Sequence, residues 1–225
     1  MNGTTVKKFT LTEFFGRIYA LVGMGVGVSA IVSFLMLTVF QENMQNMVSG
    51  STVPLLIAWV AEIALVVWLS RASIRESGLA LPGFFAYSAL NGFTLSFTLA
   101  YYDVGSIAQA FLVAAIMFFA MAAFGVRTKR DLSAMGKALR AALIGLIIAI
   151  VVNIFLGSSM INLGLSVISV LIFSGLIAYE NQLIIRVYQQ NNGDVREGWA
   201  IAMALSLYLD FINLFISILR LTSRD

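Results

Sequence analysis

Neither cysteine nor histidine occurs among the 225 residues of this chain. Disulfides, thiolate nucleophiles, imidazole bases and the ordinary zinc and haem ligand sets are thereby excluded. So is a Ser–His–Asp triad. Proline occurs twice, as Pro54 and Pro82, each near the start of an apolar run where a missing N–H does little harm. Charge is scarce too, at 11% of residues. Catalysis would have to be built from carboxylates, Ser, Lys or Tyr, and the expectation is a protein that is not an enzyme and carries no cofactor.

Apolar residues fill the space left by these absences. They make up 60% of the chain, and the mean hydropathy is +0.94. Composition of this kind describes an all-α integral membrane protein with the lipid bilayer as its first partner. The net charge of +3 and pI near 9.3 are not a nucleic-acid footprint, because the basic residues sit in short connections where they set orientation. Lys7, Lys8 and Arg17 precede a first apolar stretch, Ile18–Phe40. That stretch is about twice the length of a signal-peptide core and reads as a retained span.

Seven spans follow from the apolar runs: about Ile18–Phe40, Val53–Ser70, Leu79–Tyr102, Ile107–Val126, Ala138–Leu156, Met160–Tyr179 and Trp199–Leu221. Residues 1–17 form a tail and residues 18–222 one membrane domain. Gln41–Ser51 is the longest polar connection without a basic residue. Gly23, Gly25 and Gly27 follow no strand, which removes a nucleotide-loop reading. Gly23 and Gly27, four apart, suggest instead a small-residue face for close helix packing.

Twelve basic residues precede the last span: Lys7, Lys8, Arg17, Arg71, Arg75, Arg127, Lys129, Arg130, Lys137, Arg140, Arg186 and Arg196. All fall on one face, which the positive-inside rule makes cytoplasmic, with the N-terminus. Seven spans leave the C-terminus outside, where Arg220 and Arg224 run against the rule; a re-entrant last segment would remove the conflict. Short tails and the absence of cysteine suggest a bacterial inner (plasma) membrane.

Asp210 lies in the middle of Trp199–Leu221, a run of twenty-three residues interrupted otherwise by two serines, Asn213 and a terminal Arg220. A charge at the centre of a membrane helix costs roughly 2.5–3.5 kcal/mol on insertion scales, so it normally faces a polar path or a partner. Glu180 follows Tyr179 at the end of the sixth run, but Leu183, Ile184, Val187 and Tyr188 keep helical spacing up to the turn signal Asn191–Asp194. Glu180 then lies about 14 Å inside the end of its helix, and Asp210 about 16 Å inside the next, antiparallel one. The spacing allows a carboxylate pair. It equally allows a solvated Glu180 on the loop side.

Two carboxylates close together in a dry site do not both ionise cheaply, so one holds a shared proton. Deprotonated, they form a hard oxygen site suited to calcium. Arg71, at the end of the second span, is by position the candidate to neutralise them. Glu62 falls midway through its span, where it either lines the same polar interior or meets Asn91, Asn153 or Gln109.

The segment SLYLDFINLFISILR (Ser206–Arg220) closely resembles the terminal-helix motif of the Bax inhibitor-1 family, also called the transmembrane Bax inhibitor motif family. GLIAYENQLI (Gly175–Ile184) is similar to its sixth-helix motif, in which a Tyr-Asp pair precedes a Gln. The resemblance implies seven transmembrane helices with the last one central in the bundle. It also implies a pH-sensitive calcium leak gated by the helix-six and helix-seven carboxylates, with an arginine near the end of helix two as latch. Glu180 and Asp210 occupy the gating and calcium positions and Arg71 the latch. Glu62, Asn91, Asn213 and Tyr179 are candidates for the polar interior. Glu180 stands where the family commonly has Asp, and the extra methylene moves the charge by roughly a bond length.

Three functions compete. The first is a passive pathway for calcium, responsive to protons at Glu180 and Asp210. The second is a non-transporting membrane regulator that binds a membrane protease or a stress or cell-death partner. The third, an intramembrane aspartic protease, lacks its sequence context: the residues are Tyr179-Glu180 and Leu209-Asp210.

Overall fold

The computed structural model describes residues 9–50, 53–75 and 78–223, with the side chains of 48–50 excepted. Lys7, Lys8 and Arg224, counted above for orientation, lie outside the described residues. These form eight helices and no strand: α1 (Leu11–Thr38), α2 (Gln41–Gly50), α3 (Val53–Ile74), α4 (Ala80–Leu99), α5 (Val104–Arg127), α6 (Ser133–Leu156), α7 (Ser159–Gln190) and α8 (Glu197–Thr222). Among the described residues six helices, all but α2 and α4, are long and apolar enough to cross a membrane.

Local chemistry sets the ends. α1 starts seven residues ahead of Ile18 because Thr10 and Glu13 close a capping box: Glu13 N–H donates to Thr10 Oγ1, and Thr10 N–H donates to Glu13 Oε2. The polar stretch after α1 is not an extended connection but the helix α2, whose Met44 is buried and accepts from Ser96 Oγ. α7 continues past Tyr179 to Gln190, as the apolar spacing indicates. It closes where Asn192 and Gly193 turn to positive φ (49° and 76°) and Gly193 N–H donates to Tyr188 O at 3.0 Å. α8 runs unbroken for 26 residues, with no interruption of the kind a re-entrant segment needs.

The chain divides into two compact units, Met1–Tyr101 with Arg186–Leu205, and Tyr102–Ile185 with Ser206–Asp225. In the first, α1 lies against α4 through small residues. Ser29 Oγ donates to Ser88 O and Ser33 Oγ to Gly92 O, each at 2.7 Å. A Cβ on Gly92 would stand 2.6 Å from Ser29 O, and one on Gly25 2.8 Å from the Phe84 ring. The small-residue face is therefore Gly25–Ser29–Ser33, and not Gly23 and Gly27, around which a Cβ would meet nothing within 4 Å. Two residues are about 200° of helix, which puts Gly23 and Gly27 on the far side.

The twenty residues of α4 span about 30 Å, yet its apolar run is diluted by serine, threonine and asparagine. Three of those side chains are engaged as follows. Ser88, Ser96 and Thr94 bond to backbone carbonyls, and Thr94 Oγ1 also donates to Glu62 on α3. The same unit holds an ion pair between Arg17 on α1 and Glu197 at the start of α8.

In the second unit glycines let α5 and α6 approach α7. A Cβ on Gly125 would stand 2.1 Å from Ala178 O, one on Gly136 2.4 Å from the Tyr179 ring, and one on Gly175 2.6 Å from Leu139. Phe118 meets Phe211 edge-on, and Phe111 meets Phe211 and Phe215 in the same way, which fixes α5 against α8. Among the described residues α8 is the most buried of the six apolar helices.

Candidate functional site

Glu180 and Asp210 both belong to the second unit, and both are buried, at 9% and 6% exposure. The solvated alternative for Glu180 is thus set aside. Its surroundings follow from the glycines: Gly125 brings α5 onto the backbone of Ala178, and Gly136 brings α6 onto the ring of Tyr179. The residue after these two is Glu180. Close approach from two sides crowds the turn of α7 that carries it.

α8 supplies the facing side. Ser206 hydrogen-bonds the Glu180 carboxylate. Asp210 lies four residues further along α8, hence on the same face and about one turn on. Counting from the helix ends agrees with this. Glu180 is about 15 Å inside α7 and Ser206 about 14 Å inside α8, while Asp210 is about 20 Å in.

Arg140 comes from α6. One guanidinium nitrogen stands 3.7 Å from Glu180 Oε1, and the guanidinium carbon lies 5.1 Å from the centre of the Tyr179 ring. The arginine side chain is 54% exposed, so it bridges the buried acid and the surface. Two oxygens are left over: Glu180 Oε2 and Asp210 Oδ2 are buried and have no hydrogen-bond partner. A buried, unpartnered carboxylate oxygen is costly, and it is relieved by a proton or a cation.

The motif glutamine has a separate task. Gln182 Oε1 accepts from Leu132 N–H at 2.9 Å, and its Nε2 donates to Arg130 O at 2.8 Å. It thereby ties α7 to the connection that starts α6, the helix carrying Arg140.

Arg140 is the participant that sequence reasoning used only for orientation. The available signal was its position: an arginine two turns inside an apolar helix, four residues after Gly136. Arg71 lies exposed in the last turn of α3, in the first unit. Glu62, also in that unit, accepts from Thr94 Oγ1 at 2.6 Å and Asn91 Nδ2 at 3.4 Å. Asn91 is thus a partner of Glu62, and Asn153 and Gln109 have other places. Asn153 instead donates to Ser158 O beyond the end of α6, and Gln109 is exposed on α5. Asn213 donates back to Leu209 O within α8, and Tyr179 is held between Gly136 and Arg140.

Fold and site together define an all-helical membrane protein with two buried carboxylates on its last two helices, one of them paired with arginine. Residues 11–225 match the family described as inhibitor of apoptosis-promoting Bax1, and the chain belongs to this Bax inhibitor-1 family. A membrane protein of Streptococcus pyogenes serotype M1 is 55% identical over 215 residues, covering 96% of this chain and 94% of its own. The Lactococcus lactis protein YrjE is 49% identical over 211 residues, 94% and 90% of the two chains. The inner membrane protein YbhL of Escherichia coli is 42% identical over 167 residues, 72% and 71% of the two chains.

Proposed function

We propose that the protein is a pH-sensitive leak pathway for calcium in a bacterial inner membrane, with Glu180 and Asp210 as its gate. In this reading seven helices span the bilayer: the six apolar ones and α4, whose polar side chains bond to its own backbone and to Glu62 on α3. The N-terminus is cytoplasmic and α8 is the central helix of the bundle.

The observation that carries the reading is the pair of buried, unpartnered oxygens, Glu180 Oε2 and Asp210 Oδ2. With a proton on the pair, repulsion between the two acids is relieved and α7 and α8 stay closed on each other. Without it, two negative groups face each other across the α7–α8 seam, which either parts or takes up a cation. Calcium, as cargo, prefers six to eight oxygens. Two carboxylates and Ser206 offer fewer, and among the described residues there is no cluster of three or more acids. Such a site suits brief coordination during passage better than tight storage. Arg140 competes with the cation for Glu180 and so opposes occupancy.

Calcium flux into liposomes, measured against pH for the wild type, Glu180→Gln and Asp210→Asn, tests the proposal. Both substitutions are expected to flatten the pH response and to reduce calcium flux at the pH where wild type is most conductive. Unchanged flux and unchanged pH response in both variants would sink it.

A further inference from the structure

The end of the α5–α6 hairpin carries more positive charge than its connection requires. From Arg127 to Arg140 there are five cations, Arg127, Lys129, Arg130, Lys137 and Arg140, against one acid, Asp131, a net +4. All five are exposed. Orientation needs cations in the connection, but it does not need one two turns inside α6. Lys137 and Arg140, three residues apart, share a side of that helix.

This cluster is held in shape. Gln182 bonds both Arg130 O and Leu132 N–H, Arg130 N–H donates to Thr128 Oγ1, and Ser133 N–H donates to Asp131 Oδ1. The connection therefore presents its cations from a fixed backbone. Arg140 has half its side chain exposed and a loose 3.7 Å contact with Glu180. A guanidinium carries five N–H donors, more than this one contact uses, and long basic side chains near the end of a membrane helix reach to the headgroups.

We infer that Arg130, Lys137 and Arg140 form a binding site for the phosphate headgroup of an anionic phospholipid. Basic clusters at the end of a membrane helix attract anionic lipid by about 1 kcal/mol per cation, or roughly fivefold each. A bound headgroup draws Arg140 away from Glu180. This consequence, unlike the binding itself, rests on the proposed gating role of the carboxylate pair.

Lipid retention on the purified full chain, read as adducts by native mass spectrometry, tests the site without reference to transport. Phosphatidylglycerol is expected to be retained in preference to phosphatidylcholine, and inorganic phosphate not to displace it. Arg140→Gln, and separately Arg130→Gln with Lys137→Gln, should each weaken retention, by roughly fivefold per cation removed. The second variant leaves the Glu180 contact intact, so it remains informative if the first does not fold. Equal retention of the two lipids, retention unchanged in either folded variant, or displacement by inorganic phosphate would overturn the assignment. Flux in vesicles with and without phosphatidylglycerol then reads the consequence: a lipid response present in wild type and absent in Arg140→Gln supports it. Specific retention with no lipid response of flux would refute the coupling while leaving the site standing.

Discussion

The guanidinium of Arg140 reaches across from α6 to stand 3.7 Å from Glu180 Oε1 on α7, with the Tyr179 ring beneath it. One helix thus supplies the charge that makes a buried acid on the next tolerable. The arrangement is half open, because the arginine is largely exposed while the glutamate is not. Exposed partners are screened by solvent, so the pair holds Glu180 without locking it.

Removing Arg140 is expected to cost modestly by itself and to be coupled to Glu180. Arg140→Gln leaves a buried carboxylate without its cation, whereas adding Glu180→Gln removes the charge that needed it. A double-mutant cycle on thermal stability should show a coupling of about 1 kcal/mol, discounted from buried-pair values for the exposure of Arg140.

Glu180→Asp probes the longer side chain. Shortening the reach draws the carboxylate back from both Ser206 and Arg140, its two partners. The variant should retain the fold, lose about 1–2 kcal/mol of stability, and shift the pH profile of flux relative to wild type. A profile identical to wild type would show that side-chain length at this position is immaterial.

Glycine substitutions should separate packing faces. Gly125→Ala drives a methyl into a backbone carbonyl that cannot turn aside, and the expected loss is about 2–3 kcal/mol or failure to fold. Gly136→Ala pushes against the Tyr179 ring and should disturb the Arg140 contact. Gly23→Ala and Gly27→Ala meet open space and should be tolerated. Thermal melts in one detergent are sufficient to rank the four.

Gln182→Leu should loosen the α5–α6 connection without touching a charge. Two hydrogen bonds disappear, worth about 1 kcal/mol each. Hydrogen exchange at Leu132 is the direct readout, and it should rise in the variant while exchange in α8 is unchanged.

The start of α5 carries its own pH dependence. Asp103 caps the helix, accepting from the Ser106 hydroxyl and, at 2.9 Å, from Ser106 N–H. These bonds, the hydroxyl first, hold its carboxyl below the usual aspartate range. A lowered folded-state value means that the contribution is fully present above the unfolded-state value and is lost as pH falls through the folded one. Protection of Ser106 N–H should therefore fade in acid for wild type but stay level in Asp103→Asn, which keeps an uncharged cap. Equal acid sensitivity in both would show that the cap does not titrate.

Much of this was legible without coordinates, for identifiable reasons. Apolar runs of bilayer length specify helices because no other open structure satisfies its backbone in lipid. The spacing of Leu183, Ile184, Val187 and Tyr188 carried α7 past Glu180, and Asn192–Gly193 marked its end because such a cap needs positive φ. Asp210 stood out because a carboxylate in such a run is expensive. Periodicity within one helix does not say which face meets which neighbour, so the spacing of Gly23 and Gly27 points to a face opposite the one Gly25 packs. It does not say which of twelve basic residues reaches a given acid, so the sequence marks Arg140 for orientation alone. The sequence determined the helices, their membrane character and the two costly acids. That Ser206 and Arg140 converge on Glu180, and that one oxygen of each acid is buried without a partner, was decided by tertiary packing. The physical reason is that side-chain convergence depends on the rotation and approach of separate helices, which glycines at 125, 136 and 175 permit but do not by themselves announce.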